Sequence, residues 1–138
     1  MFQDCTQVTN YNLENYDTSN VTNMSNMFKC SSACAIRHLD LSNFNTSKVE
    51  RMQDMFSLFQ LAILDISNFD FTNVTKASSM FSNCGTYCFQ SDGAYADNIP
   101  YVYVKDADAQ NWVLTASNGH PSTWTTNNVI IKSQINQG

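Results

Sequence analysis

The stretch DTSNVTNMSNMF, residues 17–28, is written again as NTSKVERMQDMF at 45–56 and as DFTNVTKASSMF at 70–81. Most of its letters are Asn, Ser and Thr, yet Val21, Met24, Met27 and Phe28 recur at intervals of three and four. A short apolar stretch precedes each copy: YNLEN at 11–15, LDLSN at 39–43 and LDISN at 64–68. From Leu13 to Val21, Leu41 to Val49 and Ile66 to Val74 the step does not change, whereas the return from Phe28 to Leu41 is longer than that from Phe56 to Ile66. A repeat that varies in one connection only is a supersecondary unit with a tolerant loop. Each unit therefore reads as strand, turn, short helix and return loop.

The local chemistry supports that reading. In LDLSN, Leu39 and Leu41 fall on one face of a strand and Asp40 and Ser42 on the other. Ser19, Ser47 and Thr72 stand two residues before the apolar Val, where a hydroxyl is expected to cap a helix. Glu50 completes a capping box with Ser47. Phe28, Phe56 and Phe81 are expected to stack as one aromatic spine, and Tyr16, Phe44 and Phe69 as a second. Asn15, Asn43 and Asn68 precede that second aromatic, and their amides are expected to bond to turn backbone. One such unit cannot bury its own apolar edge, so neighbours must stack. The expected fold class is an α/β solenoid: a short array of strand–turn–helix units of 25–28 residues.

These residues carry a resemblance. LDLSNFNTSKVERMQDMF and LDISNFDFTNVTKASSMF are similar to the repeats of the BspA-type leucine-rich-repeat surface proteins, a family that writes LDLSNFDTSNVTNMSNMF followed by Cys in tandem copies. Leu41, Asn43, Phe44, Val49, Met52 and Phe56 are the main carriers. Ala77 in place of Met, Tyr16 in place of Phe, and Ser57-Leu58-Phe59 where other copies reach a Cys depart from the pattern. The resemblance implies a leucine-rich-repeat array at a bacterial surface, with adhesion as the activity.

The pattern stops after Cys88, and the domains read as repeats over 1–90, a connector over 91–100, a cap over 101–132 and a tail over 133–138. In the cap, YVYV at 101–104 and NVIIK at 128–132 read as strands. Between them Asp106 is a helix N-cap, with Ala109, Trp112, Val113 and Ala116 at helical spacing. Trp112 and Trp124 are expected to cover the last repeat. The run is similar to segments that follow BspA-type arrays. At the other end Met1-Phe2 aligns with Met27-Phe28, so the chain is expected to be part of a longer array, or to self-associate through its uncapped N-terminal end.

Composition narrows the functions. Of the 138 residues 43 % are hydrophobic and 12 % aromatic, which argues for a folded chain. Only 14 % are charged, and the net charge is -5. An acidic chain poor in Lys and Arg lacks the footprint of a nucleic-acid binder. No apolar run reaches bilayer length, so membrane insertion of this segment is not expected. Five cysteines stand at 5, 30, 34, 84 and 88. Cys5, Cys30 and Cys84 hold a repeat position that favours stacked core thiols over a zinc site, with a Cys84–Cys88 disulfide between the two alternatives. His38 and His120 have no nucleophile or carboxylate at a fixed spacing, and both are expected to be exposed. Asp17, Asn45 and Asp70 form an oxygen ladder that suits bonds to their own turns better than a calcium ion. Four glycosylation sequons, at Asn20, Asn23, Asn45 and Asn73, read as by-products of the repeat.

No catalytic motif, cofactor or metal site is expected, and the chain is read as non-enzymatic. The candidate binding face is the solvent side of the strands: Asn12, Glu14, Arg37, His38, Asp40, Ser42, Asp65 and Ser67, facing a protein or host-surface ligand. The alternatives are a purely structural capping segment and a phage or secreted receptor-binding domain.

Overall fold

A computed structural model describes residues 13, 15–30, 37–89 and 95–137. The protein is a small α/β structure around a four-stranded parallel sheet. Its strands are β1 (His38–Asp40), β2 (Ile63–Asp65), β5 (Tyr101–Val104) and β6 (Val129–Ile131), in the order β1-β2-β5-β6. Between β2 and β5 the chain makes an antiparallel pair, β3 (Tyr87–Phe89) with β4 (Tyr95–Asp97). Helix α1 (Ala107–Val113) crosses from β5 to β6, and a 3-10 segment, Lys132–Gln137, follows β6. The antiparallel pair has no counterpart in the expected connector, and residues 132–137 form a 3-10 segment where a tail was expected. Of YNLEN, only Leu13 and Asn15 are described, and neither is in a strand.

Registers repeat the sequence period. His38, Leu39 and Asp40 pair with Ile63, Leu64 and Asp65, which pair in turn with Tyr101, Val102 and Tyr103. On the opposite side, Asn23 bridges Arg51 and Arg51 bridges Lys76, all parallel. Equivalent residues of successive repeats thus lie side by side at both edges of each layer.

Among the described residues, the short helices expected in the repeats over 17–28, 45–56 and 70–81 are absent. Residues 24–29, 52–59 and 77–84 instead form runs of overlapping β-turns, closed by bonds such as Met27 N–H to Met24 O, Ser57 N–H to Asp54 O and Cys84 N–H to Phe81 O. Asn26, Asp54 and Ser79, at one repeat position, all have positive φ, as do Leu58 and Asn83. A positive φ at the third residue is what a type II turn requires, and Asn and Asp tolerate it best after Gly. Amide groups freed by the turns bond between repeats. Met24, Asn26 and Phe28 donate to Arg51, Gln53 and Met55, and Met52, Asp54 and Phe56 donate to Lys76, Ser78 and Met80.

The physical reason is spacing. Adjacent strands lie about 4.8 Å apart, whereas packed helices need about 8–10 Å. Backbone-bonded turns keep both edges of every layer at strand spacing; helices would not. A β-turn also brings residues i and i+3 together, so the apolar interval taken for a helix is satisfied by turns. Without helices in the repeats the expected caps do not form there, and the Ser47 hydroxyl donates to Asn45 Oδ1 instead.

The core is stacked in register. Phe56 lies between Phe28 and Phe81, with centroids 5.8 Å away on each side and planes within 2° and 12°. Phe44 stacks on Phe69 at 6.4 Å. The amides of Asn43 and Asn68 bond to Leu13 O and Ser42 O of the preceding repeat, while Asn15 is exposed. A buried threonine ladder runs beside them: Thr18 donates to Asn45 O and accepts from Asn45 N–H, and Thr46 does the same with Asp70. The next residue in that series is Phe71, which stacks on Trp112 at 3.9 Å and 6°. Trp124 closes the other spine against Phe81 at 5.2 Å. Both tryptophans thus meet the last repeat.

The ladder predicts that Thr46→Val, nearly isosteric, strands the Asp70 N–H and C=O. Chemical denaturation should show a loss of about 1–3 kcal/mol. An unchanged midpoint would remove the ladder from the stabilising interactions.

Cysteine chemistry follows expectation at Cys84, a buried core thiol, and departs from it at Cys30. Cys30 is disulfide-bonded rather than a stacked thiol, and Cys84 is a free, fully buried thiol, so it forms no bond to Cys88. Burial pushes the Cys84 thiol far up from its ordinary pKa, leaving it an inert core group.

Candidate functional site

The outer face of the parallel sheet is composed by register. One row runs His38, Ile63, Tyr101; the next runs Asp40, Asp65, Tyr103, Ile130. Their alternate neighbours Leu39, Leu64, Val102 and Val129 point into the core and are buried. His38 and Asp40 are exposed at one side of this face, and Tyr101, at 52 % exposure, stands on the other.

The expected site residues are distributed unevenly over this surface. Asn12 and Glu14 lie outside the described residues. Arg37 is half-buried and its Nη1 donates to Gln60 O at 3.3 Å. Ser42 and Ser67 are half-buried, and their N–H groups donate to Asp40 Oδ1 and Asp65 Oδ1. Asp65 is not a solvated contact residue. It is 5 % exposed, and Lys132 Nζ lies 2.5 Å from its Oδ2. With both oxygens engaged, its carboxylate is consumed within the fold. His120 is half-buried rather than exposed, with its ring nitrogens 2.8 Å from Pro121 O and 2.9 Å from Leu114 O.

Tyr101, Tyr103, Ile63 and Lys132 were missed. YVYV does alternate, which marks Tyr101 and Tyr103 as one face of a strand. That the face continues His38 and Ile63 depends on β5 pairing with β2, a contact across 38 residues of sequence.

Electrostatics follow from these contacts. At Asp40 partial burial works against ionisation, but bonds from Ser42 and the charges of Lys132 and His38 outweigh it and hold the carboxyl below the usual range. The hydroxyl bonds of Ser19 and Thr72 lower Asp17 and Asp70 in the same way. Asp17, Asn45 and Asp70 each accept from their own turns, at Ser19, Ser47 and Thr72. Lys132 is raised, first by its bond to Asp65 and then by the charges of Asp65 and Asp40 against the opposing effect of burial.

Stability contributed by Asp17, Asp40 and Asp70 is present above the ordinary carboxylate pKa of about 4 and is lost as pH falls through their lower folded values. That of Lys132 is present below about 10.4 and is lost as pH rises through its higher folded value. A melting-temperature profile should fall on both sides. Asp40→Asn should flatten the acid limb and Lys132→Met the alkaline one. Limbs unmoved by these changes would place the linkage elsewhere.

Among the described residues no group of three or more His, Cys, Asp or Glu side chains is placed to hold a metal ion. No helix among them is long and apolar enough to cross a membrane.

A repeat-patterned α/β chain with a parallel sheet and one mixed polar–aromatic outer face is a structural class without a fixed activity. The chain belongs to the family described as "Mycoplasma protein of unknown function, DUF285", which matches residues 1–98. No curated protein and no solved structure matches it.

Proposed function

We propose that the protein is a non-enzymatic binding module of BspA-type leucine-rich-repeat kind, a short solenoid that recognises a protein partner at a bacterial surface through the outer face of its sheet. The observation that carries this reading is the adjacency, on that face, of an exposed tyrosine, a half-buried isoleucine and the exposed pair His38 and Asp40. Tyrosine gives a large contact area with little rotamer entropy and is enriched in binding hot spots. The BspA-type motif carried by the repeats supports the surface assignment, and so does the disulfide at Cys30, a bond that persists in oxidising surroundings.

Immobilised host matrix proteins, probed with the wild-type chain and with Asp40→Lys and Tyr101→Ala, test the reading. Micromolar binding should fall at least tenfold in either variant while the melting temperature stays within a few degrees. Absence of wild-type binding across the panel, or binding indifferent to both changes, overturns it.

A further inference from the structure

Between the last repeat and the segment that follows β5 lies a polar cleft of about 390 Å³. Val74 and Ala77 line it from the repeat, and Trp112 lines it from helix α1. Ala77 stands where the earlier repeats place Met24 and Met52, which are both buried. Its single methyl leaves open the space that those longer side chains fill. Beside it Val74 is half-buried, whereas its counterpart Val49 is fully buried.

The polar lining carries an unmet demand. Asn118 is 5 % exposed, and its Nδ2 donates to Trp112 O at 2.6 Å, which fixes the orientation of the amide. Among the described residues nothing donates to its Oδ1. A buried amide oxygen without a protein donor calls for one from a bound molecule. Lys76 and Ser117 are exposed in the same lining, and among the described residues neither side chain has a hydrogen-bond or ion-pair partner. No carboxylate lines the cleft. Arg51 bridges Lys76 in register, so two cations stand side by side on a chain of net charge -5.

We infer that this cleft binds an acidic saccharide, a sugar ring that bears a carboxylate. Lys76 Nζ would pair with the carboxylate. A ring hydroxyl would donate to Asn118 Oδ1 while accepting from the Ser117 hydroxyl, a dual role that hydroxyls fill. The C–H face of the ring would lie against Trp112 and Val74. A phosphate ligand suits the cleft less well, because Lys76 is the one cation in its lining. The inference is independent of the sheet face and of any protein partner there.

Titration of the protein with sialyllactose, a hyaluronan disaccharide and neutral lactose, followed by NMR, tests it. At least one acidic sugar should shift the amide signals of Lys76, Ser117 and Asn118, with a Kd of about 1 mM or tighter. Lactose should bind at least tenfold more weakly. Lys76→Gln, at an exposed position, should bring the acidic sugar down to the level of lactose and leave the melting temperature unchanged. Ala77→Met, which restores the side chain of the earlier repeats, should abolish the shifts. Absence of shifts with both acidic sugars at about 10 mM would overturn the inference. So would equal affinity for lactose, or binding indifferent to Lys76→Gln.

Discussion

Phe56→Ala should unfold most of the protein's stability in one step. The ring is wholly buried, sandwiched at 5.8 Å by Phe28 and Phe81, and within 6.4 Å of Phe69. Truncating a buried Phe costs about 3–5 kcal/mol, through lost transfer energy and the cavity left behind. Each lost ring contact adds about 0.5–1.5 kcal/mol. Because domains of this size are stable by only about 5–15 kcal/mol, the variant should be near its unfolding midpoint without denaturant. Tyr16→Ala, at a ring 45 % exposed, should cost no more than about 1 kcal/mol. Urea titrations of both variants would decide. A loss at position 56 no larger than that at position 16 would mean that the stacked phenylalanines do not carry the core.

Gly85→Ala should be the second most damaging change, for a different reason. Gly85 has φ +65, and a Cβ there would stand 2.6 Å from Pro100 Cγ and 2.7 Å from Leu61 O. The residue is also pinned: its N–H donates to Phe59 O and its C=O accepts from the Asn98 amide. The left-handed backbone costs an ordinary residue about 1–2 kcal/mol, and overpacking a further 1–3 kcal/mol or so. A melting temperature lower by about 10 °C is expected. Adding Pro100→Ala removes the overlap with Cγ but leaves residue 100's Cβ at 2.8 Å and the carbonyl of Leu61 at 2.7 Å, so rescue should be partial. Full rescue would show that the ring alone sets the limit, and an unaffected single variant would refute the close approach.

These two effects differ in how visible they are in the sequence. Phe28, Phe56 and Phe81 share a repeat position, and local pattern alone predicts their stacking. Trp112 and Trp124 were legible as apolar residues beyond the repeat, and Phe71 marks the place where the threonine ladder gives way to them. Gly85 is one glycine in CGTYC, and nothing nearby says that Pro100 and Leu61 converge on it.

At the candidate site, His38 and Asp40 could be placed on the solvent side of a strand by alternation. Asp65 obeys the same rule yet is buried, because Lys132, the first residue after β6, closes over it. Tyr101 becomes a neighbour of Ile63 only when β5 joins the sheet.

The sequence by itself determined the repeat, its register, the inward residues and the strands of the last segment, since each of these depends on spacing along a few residues. Tertiary structure decided three things. Turns replaced helices, because the interval i, i+3 suits both and only the spacing between layers selects one. The fate of Asp65 depended on a lysine 67 residues away. The composition of the outer face was set by which strands became neighbours. In all three the deciding contact joins residues far apart in the chain, and short-range pattern carries no information about such a contact.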